Sequence, residues 1–317
     1  MLGTHVPGAR SKKPPAGHRL TLEWTQPRAP VPRREGGCSM PENSSTTAVE
    51  EAPVGVNAMI PNSARIMDYL LGGNANFASD RAVADNAFVN WPGDPGGIDG
   101  VRVDLHAARD ALQRIVGYLA GECEIRQFLD LASGLPTVGN THEAARAVAT
   151  GCRVVYVDNE PSVAAHGQSL LDSDADTVFL DADFRKPKDI LGRAAATLDF
   201  SKPVGLILFG VLHFVDDVGR PEQIMADLLA AVPSGSYLAL SHFAKAEEDT
   251  ALNAMLTEMD KQTGDSVVRR TRAEVERFFH GMEAVPPGVV QTELWRPASG
   301  APGPKPLPMW CGLARKR

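Results

Sequence analysis

The chain has 317 residues, of which 43% are hydrophobic, and carries a formal net charge of −7. This length and apolar content suffice for one large globular domain or two ordinary ones. The acidic balance argues against a surface that binds polyanions, so we expect no nucleic-acid partner. The longest apolar run, residues 204–214, is too short to span a bilayer, and the four cysteines form neither a zinc motif nor a disulfide framework. We therefore predict a cytoplasmic protein with no membrane partner and no metal site.

The first 56 residues are predicted to be a disordered tail. They are rich in Pro, Gly, Arg, Ser and Thr and show no sustained apolar periodicity. Met40 is a second candidate for the translation start, besides Met1.

Residues 57–120 are predicted to form a helical extension that precedes the sheet. Asn62 or Ser63 can cap a first helix, and the glycine pair at 72–73 can end it. Two further helices follow, and the last one places apolar side chains at a spacing of 3.6 residues over 103–120.

From residue 121 to residue 317, short β-rich runs alternate with helical segments, which is typical of a doubly wound α/β sheet. The predicted parallel strands are 126–131, 153–157, 177–181, 204–209 and 236–241. Two last runs, 289–294 and 309–314, are joined by a Pro/Gly-rich linker that is too short for a crossover helix. We therefore expect an antiparallel hairpin at the C-terminal end of a parallel sheet, whereas the last strand of a dehydrogenase sheet is usually parallel.

A loop of small residues follows the strand at 126–131. Asp130 stands near the strand end, and Ala132, Ser133 and Gly134 come next. Such a loop lets backbone N–H groups approach a ligand closely. Because a carboxylate repels a phosphate, Asp130 indicates a ligand with positive charge. S-adenosylmethionine, which carries an ammonium and a sulfonium, meets that requirement better than a dinucleotide does.

The next two strands also end on acids. Asp158 and Asn159 follow the second strand, where a carboxylate suits the hydroxyls of a ribose. Asp183 follows the third strand and can accept a hydrogen bond from an adenine amino group, while Phe184 can pack on the ring. Each acid alone fits a loop cap equally well. Together, at intervals of one strand, they predict a nucleotide-type cofactor, and the sequence contains no phosphate-loop motif that would favour NAD or ATP.

The fourth strand brings Gly210 and His213 to the same edge of the sheet. Gly210 is a candidate for close approach to the cofactor. A histidine at this position can take a proton from an attacking oxygen or nitrogen near neutral pH, so His213 is the candidate catalytic residue. The alternative is a histidine that is packed and hydrogen-bonded for structural reasons.

Five sequence blocks form a longer signature. They are P-x-x-A-R-x-x-D-Y-x-L-G-G-x-x-N-[FY]-x-x-D-R at 61–81, D-[IL]-[GA]-[ST]-G-[LM]-P-T at 130–137, N-x-H-E at 140–143, V-x-Y-V-D-N-[DE]-P at 154–161 and V-L-H-[FHL] at 211–214. Together they resemble a bacterial family of S-adenosylmethionine-dependent methyltransferases that was formerly classed as a domain of unknown function. The resemblance implies a class I, Rossmann-like fold with bound S-adenosylmethionine.

The first block lies where class I enzymes place lid helices. The resemblance therefore implies that it closes over the methionine end of the cofactor, through Tyr69, Gly72, Gly73, Asn76 and Phe77.

The predicted function is methyl transfer from S-adenosylmethionine to a small molecule, by direct in-line displacement. The alternative is a regulator or sensor that binds S-adenosylmethionine without turnover. Ala132 stands where class I loops usually have glycine, and Ala108, before Arg109, stands where family members tend to have asparagine. The methyl acceptor, the atom that is methylated and the oligomeric state do not follow from the sequence.

Overall fold

A computed structural model of the chain describes residues 52–91, 96–136, 139–171, 174–245, 250–264, 266–297 and 309–317. They lie in one compact unit, Val49–Arg317. Residues 1–51 of the predicted tail lie outside the described residues.

Three helices precede the sheet, as predicted: α1 (Ser63–Leu70), α2 (Ala78–Phe88) and α3 (Gly97–Gly121). Asn62 caps α1, because its side-chain oxygen accepts a hydrogen bond from the backbone N–H of Ala64 at 2.8 Å. No helix in the described part of the chain is both long and apolar enough to cross a membrane.

Five parallel strands follow, each within two residues of its predicted bounds. They are β1 (Gln127–Leu131), β2 (Arg153–Asp158), β3 (Thr177–Asp181), β4 (Gly205–Phe209) and β5 (Tyr237–Phe243). The helices between and after them are α4 (Thr141–Arg146), α5 (Pro161–Leu171), α6 (Pro187–Ala194), α7 (Pro221–Ala231), α8 (Thr250–Thr263) and α9 (Arg272–Glu276). The spatial order is β3-β2-β1-β4-β5, so the strand order reverses between β1 and β4. Open α/β sheets bind ligands outside the carboxyl ends of their strands at such a reversal.

The C-terminal strands β6 (Glu283–Ala284), β7 (Val290–Gln291) and β8 (Met309–Arg315) complete the sheet. β8 pairs antiparallel with β5 on one side and with β6 and β7 on the other. The pairing of β7 with β8 confirms the predicted antiparallel hairpin. Its first strand is shorter than predicted, because Thr292–Leu294 form a 3-10 helix whose Thr292 carbonyl accepts a hydrogen bond from Arg114 at 3.1 Å. The small strand β6 had not been predicted.

The sheet is covered on both faces, which explains why all five residues of β1 are buried. Leu129 and Leu131 point into a core cluster that includes residues of α6 and α7. Phe128, on the opposite face, packs into a second cluster that includes residues of α3. The helix α3 therefore lies directly on the sheet, and its position relative to the strand ends is set by this packing.

A buried ion pair joins the first helices to the sheet. The Arg65 Nε donates to Asp80 Oδ2 at 2.8 Å, and the side chains are 3% and 0% exposed. Arg65 also donates to the hydroxyl of Ser162 at 3.2 Å and lies 3.5 Å from the Glu160 carboxylate. Asn62 donates to the same carboxylate at 3.0 Å. These contacts hold α1 and α2 against the start of α5, at the carboxyl end of β2.

We predict that Arg65→Met lowers the free energy of unfolding by about 3–5 kcal/mol, because it leaves the Asp80 carboxylate buried without its partner. Urea unfolding measures the change. Arg272→Met is the matched control: Arg272 forms a half-exposed i,i+4 pair with Glu276, and its loss changes stability by about 0.5 kcal/mol or less. Similar stability losses in the two variants would contradict a special role for Arg65.

Candidate functional site

A cavity of about 440 Å³ lies at the carboxyl ends of β1, β2, β3 and β4. Residues that follow these strands form one part of its wall, and α1 and α3 supply another. The volume falls in the range of roughly 300–1,000 Å³ that is common for small-molecule and cofactor sites.

The loop after β1 lines this cavity with Ala132, Ser133 and Gly134, as predicted from its small residues. The Ser133 N–H donates to the carbonyl of Val157 at 3.1 Å, and the Gly134 N–H donates to Asp158 Oδ2 at 2.9 Å. The end of β2 therefore fixes the loop. Apart from the two adjoining residues, no atom of the described residues lies within 4 Å of the position that a Cβ on Gly134 would occupy, so the space beside this glycine is open to a ligand.

Ala132 is the unusual residue of the loop. Its φ is +52°, in the left-handed region that favours glycine. The loop thus keeps the backbone path of a glycine turn, although the sequence has alanine there.

Asp158 is buried and also lines the cavity, together with Asn159. Its second carboxylate oxygen accepts a hydrogen bond from the Glu160 N–H at 3.0 Å. Burial raises the pKa of Asp158, and the hydrogen bonds from the backbone of Glu160 and Gly134 act in the opposite direction. Each carboxylate oxygen has two lone pairs, so both can accept a further hydrogen bond from a ligand.

Asp183 and Phe184 line the cavity beyond β3, with Arg185 beside them. The Arg185 side chain binds Asp183 through two hydrogen bonds, from Nε at 2.8 Å and from Nη2 at 3.0 Å. Burial works against ionisation of Asp183, but the hydrogen bonds and charge of Arg185 together lower its pKa. Asp183 is therefore a charged acceptor with a fixed orientation.

Gly210 lines the cavity at the end of β4. Its φ is +82°, so a side chain here would be held in the strained left-handed region. The glycine lets the chain turn sharply between the strand and the following 3-10 turn, Leu212–Phe214.

Asp130 does not line the large cavity. It is buried behind the loop, where its Oδ2 accepts a hydrogen bond from the Thr141 hydroxyl at 2.6 Å. Burial raises its pKa to about 6, while Thr141 and the charge of Arg109 favour the ionised form. Burial likewise lowers the pKa of Arg109, against the attraction of Asp130. Arg109 itself does line the cavity, so the effect of Asp130 reaches the site through this guanidinium.

Five residues of the first sequence block also lie away from the cavity wall: Tyr69, Gly72, Gly73, Asn76 and Phe77. For Tyr69 the reason is the rotation of α1, which turns Met67 and Asp68 to the cavity. Tyr69 is rotated about 100° further around the helix, and its hydroxyl donates to Asp85 at 3.0 Å.

The block instead shapes the surroundings of Asp68, which is buried and lines the cavity. Asp68 Oδ2 accepts hydrogen bonds from the Ala75 N–H and the Asn76 amide, both at 2.8 Å. A Cβ on Gly73 would collide with the Asp68 carboxylate, so only glycine allows this close approach. Gly73 and Asn76 thus hold the Asp68 carboxylate at the cavity and do not line the cavity themselves.

His213 lies beside a second, smaller cavity of about 100 Å³, which we call the apolar chamber, and not beside the large one. The side chain is 3% exposed, and its ring packs against Phe214 and Phe243 with centroid distances of 4.4 and 4.5 Å. Burial, followed by the charges of His242 and Arg270, lowers the pKa of His213 well below 6.5. The imidazole is therefore neutral, and its buried Nδ1 has no hydrogen-bond partner among the described residues.

Many cavity residues were not predicted from the sequence. They are Asn62, Ser63, Ala64, Met67, Asp68, Leu71, Leu105, Ala108, Arg109, Leu135, Glu160, Arg185, Phe209, Val211, Phe214, Ser266 and Met309. One signal was present for Arg109: it follows Leu105 by four residues, on the apolar stripe of a predicted helix, where a charged residue is exceptional. Met309 gave no signal, because its place at the cavity depends on the pairing of β8 with β5.

A parallel sheet with an antiparallel C-terminal strand and a cavity at the strand reversal defines a class I, Rossmann-like methyltransferase fold. A sequence model of the S-adenosyl methyltransferase family matches residues 49–317. The chain therefore belongs to this family, which confirms the methyltransferase class and the cofactor S-adenosylmethionine predicted from the sequence. A search of curated proteins gives no match.

Two solved structures resemble the chain over most of its length. A candidate methyltransferase from Thermobifida fusca YX is 38% identical, with a TM-score of 0.74, over 82% of this chain and 96% of that one. A DUF574 family protein from Streptomyces avermitilis MA-4680 is also 38% identical, with a TM-score of 0.75, over 81% of this chain and 98% of that one. The second name agrees with the predicted family that was once a domain of unknown function.

We predict that Ala132→Gly raises the free energy of unfolding by up to about 1 kcal/mol. The left-handed conformation costs alanine about 1–2 kcal/mol, and the greater freedom of glycine in the unfolded chain offsets about 0.4–1 kcal/mol of this gain. Ala226→Gly, on an exposed position of α7, is the control and lowers stability by about 1 kcal/mol. Urea unfolding compares the two, and equal losses in both variants would show that Ala132 is not strained.

Proposed function

We propose that the 440 Å³ cavity holds S-adenosylmethionine with its nucleoside part at the ends of β2 and β3. Asp158 accepts hydrogen bonds from the ribose hydroxyls, with Asn159 beside it. Asp183 accepts from the adenine amino group, and Phe184 packs against the ring. The observation that carries this proposal is that the strand-end acids converge on one cavity that the helices α1 and α3 also line.

The amino-acid part of the cofactor lies against the loop after β1. Arg109 and Asp68 both line this cavity and carry opposite charges, which suits a carboxylate and an ammonium. Ser133 and Gly134 provide the open backbone beside them. Asp130 acts indirectly in this arrangement, because it holds the Arg109 side chain from behind the loop.

When bound, S-adenosylmethionine supplies a methyl group on a sulfonium sulfur; transfer joins the acceptor to the methyl carbon, breaks the carbon–sulfur bond and leaves the electron pair on sulfur. The chain contributes mainly by positioning the two reactants. Gly210 and Phe214 line both the large cavity and the apolar chamber. His213, on the chamber side, accepts a hydrogen bond from the acceptor; because burial keeps the pKa of His213 low, the proton that the acceptor loses passes on to solvent.

The acceptor in this proposal is a small molecule rather than a macromolecule. Both α1 and α3 contribute to the walls of the cavity and the chamber, so the reacting methyl group is enclosed by side chains. The net charge of −7 also disfavours nucleic acid.

The test is titration calorimetry with S-adenosylhomocysteine, the demethylated product. We predict that Asp158→Asn weakens binding about 10- to 100-fold, the loss of about 1.5–3 kcal/mol expected for hydrogen bonds to a charged acceptor. Asp189→Asn is the control, because Asp189 is an exposed acid on α6 that does not line the cavity. Unchanged affinity in a folded Asp158→Asn protein would remove this residue from the cofactor site.

A further inference from the structure

The apolar chamber adjoins the large cavity and is distinct from it. Met67, Leu105, Phe214 and Met309 line both spaces. A ligand in the chamber therefore lies next to one in the cavity and contacts some of the same side chains, close to the position where a methyl group is transferred in the proposed function.

Four aromatic rings line the chamber together with aliphatic side chains. Phe88, Trp91, Phe214 and Phe243 line it, and the first two are in edge contact at a centroid distance of 5.6 Å. Such rings favour another aromatic ring in edge or offset contact. The volume of about 100 Å³ is about two thirds of that of an engineered apolar cavity of about 150 Å³ that binds benzene, so the chamber limits its ligand to no more than a single ring.

The charged groups around the chamber are engaged with the protein. Asp104 lines it, but its Oδ2 accepts a hydrogen bond from the Trp91 indole N–H at 2.7 Å. Because the remaining wall is almost wholly apolar, a carboxylate would lose its hydration without gaining a positive partner, and an ammonium would meet only the Asp104 carboxylate that Trp91 already binds. This disfavours a charged acceptor.

The turn that carries His213 is held in place by Arg270, a positively charged residue. Arg270 donates to the carbonyls of Leu212 and Val215, at 3.3 and 3.0 Å, on either side of His213. It also hydrogen-bonds to His242 Nε2 at 2.7 Å. The guanidinium, which also pairs with Asp217 at 3.0 Å, fixes the turn that carries His213.

The imidazole itself is a hydrogen-bonding group without a complete set of partners. His213 is 3% exposed, and its Nδ1 lacks a partner among the described residues. Buried polar groups are nearly always hydrogen-bonded, and His213 lines the chamber, so a ligand there that carries a polar group can complete the hydrogen bonds of the ring.

We propose that the apolar chamber binds the methyl acceptor, and that this acceptor is an uncharged, single-ring aromatic hydroxy compound whose hydroxyl hydrogen-bonds to His213. This rests on the proposed function, because it identifies the chamber as the second substrate site of the methyltransferase.

Binding of phenol, followed by ligand-observed NMR with saturating S-adenosylhomocysteine, tests the proposal. Val101→Phe fills the chamber from α3, where Val101 is 3% exposed, and weakens phenol binding by at least about tenfold. Val103→Phe is the matched control on the same helix, because Val103 is 55% exposed and does not line the chamber. Benzoate and benzylammonium bind at least about tenfold more weakly than phenol, since their charges lose hydration.

Cofactor affinity and thermal unfolding, measured on each variant, separate the possible failures. If Val101→Phe does not fold, Phe243→Trp fills the chamber from β5 and gives the same comparison. Equal phenol affinity in wild type and a folded chamber-filling variant, or tighter binding of a charged analogue, would overturn the proposal. Absence of S-adenosylhomocysteine binding would count against the proposed function instead, and phenol titration of the unliganded protein would still decide whether the chamber is a site.

Discussion

The buried pair of Arg65 and Asp80 is the constraint on which the site depends. Removing two charges from water is costly, and the pair is tolerated because Ser162 and Glu160, at the end of the sheet, complete its contacts. Arg65 therefore links α1 to α2 and also attaches both helices to the start of α5. Since α1 provides part of the wall of both cavities, the geometry of the site follows from an ion pair that contacts neither ligand.

Because of this attachment, the sheet is one half of the site and the helices α1 and α3 are the other, and each contributes different groups. The sheet contributes backbone turns and acids at its strand ends, of which Asp158 both faces the cavity and holds the Gly134 N–H. The helices contribute charge of both signs, through Asp68 and Arg109, and the apolar side chains of the chamber. Neither half alone encloses a ligand. A methyl donor in the cavity and an acceptor in the chamber can meet only where the two spaces adjoin, at the side chains that line both.

The sequence predicts the parts of this architecture that depend on local pattern. Alternating apolar runs located the five parallel strands, and the topology of such sheets brings their carboxyl ends together, so Ala132, Ser133, Gly134, Asp158, Asn159, Asp183, Phe184 and Gly210 all line the cavity. The residues placed differently depend on tertiary contacts. The rotation of α1 places Asp68 at the cavity and Tyr69 away from it. Asp130 is buried behind the loop and does not line the cavity. The turn fixed by Arg270 directs His213 to the neighbouring chamber, and no sequence pattern encodes that choice.

The central claim is that one cavity at the strand ends holds the cofactor against the chamber that holds the acceptor. A crystal structure of the complex with S-adenosylhomocysteine tests it most directly. The account predicts the ribose hydroxyls on Asp158, the adenine beside Asp183 and Phe184, and the sulfur near Gly210 and Phe214. A cofactor in the reversed orientation, with its adenine against Arg109, or one bound outside the cavity, would contradict it.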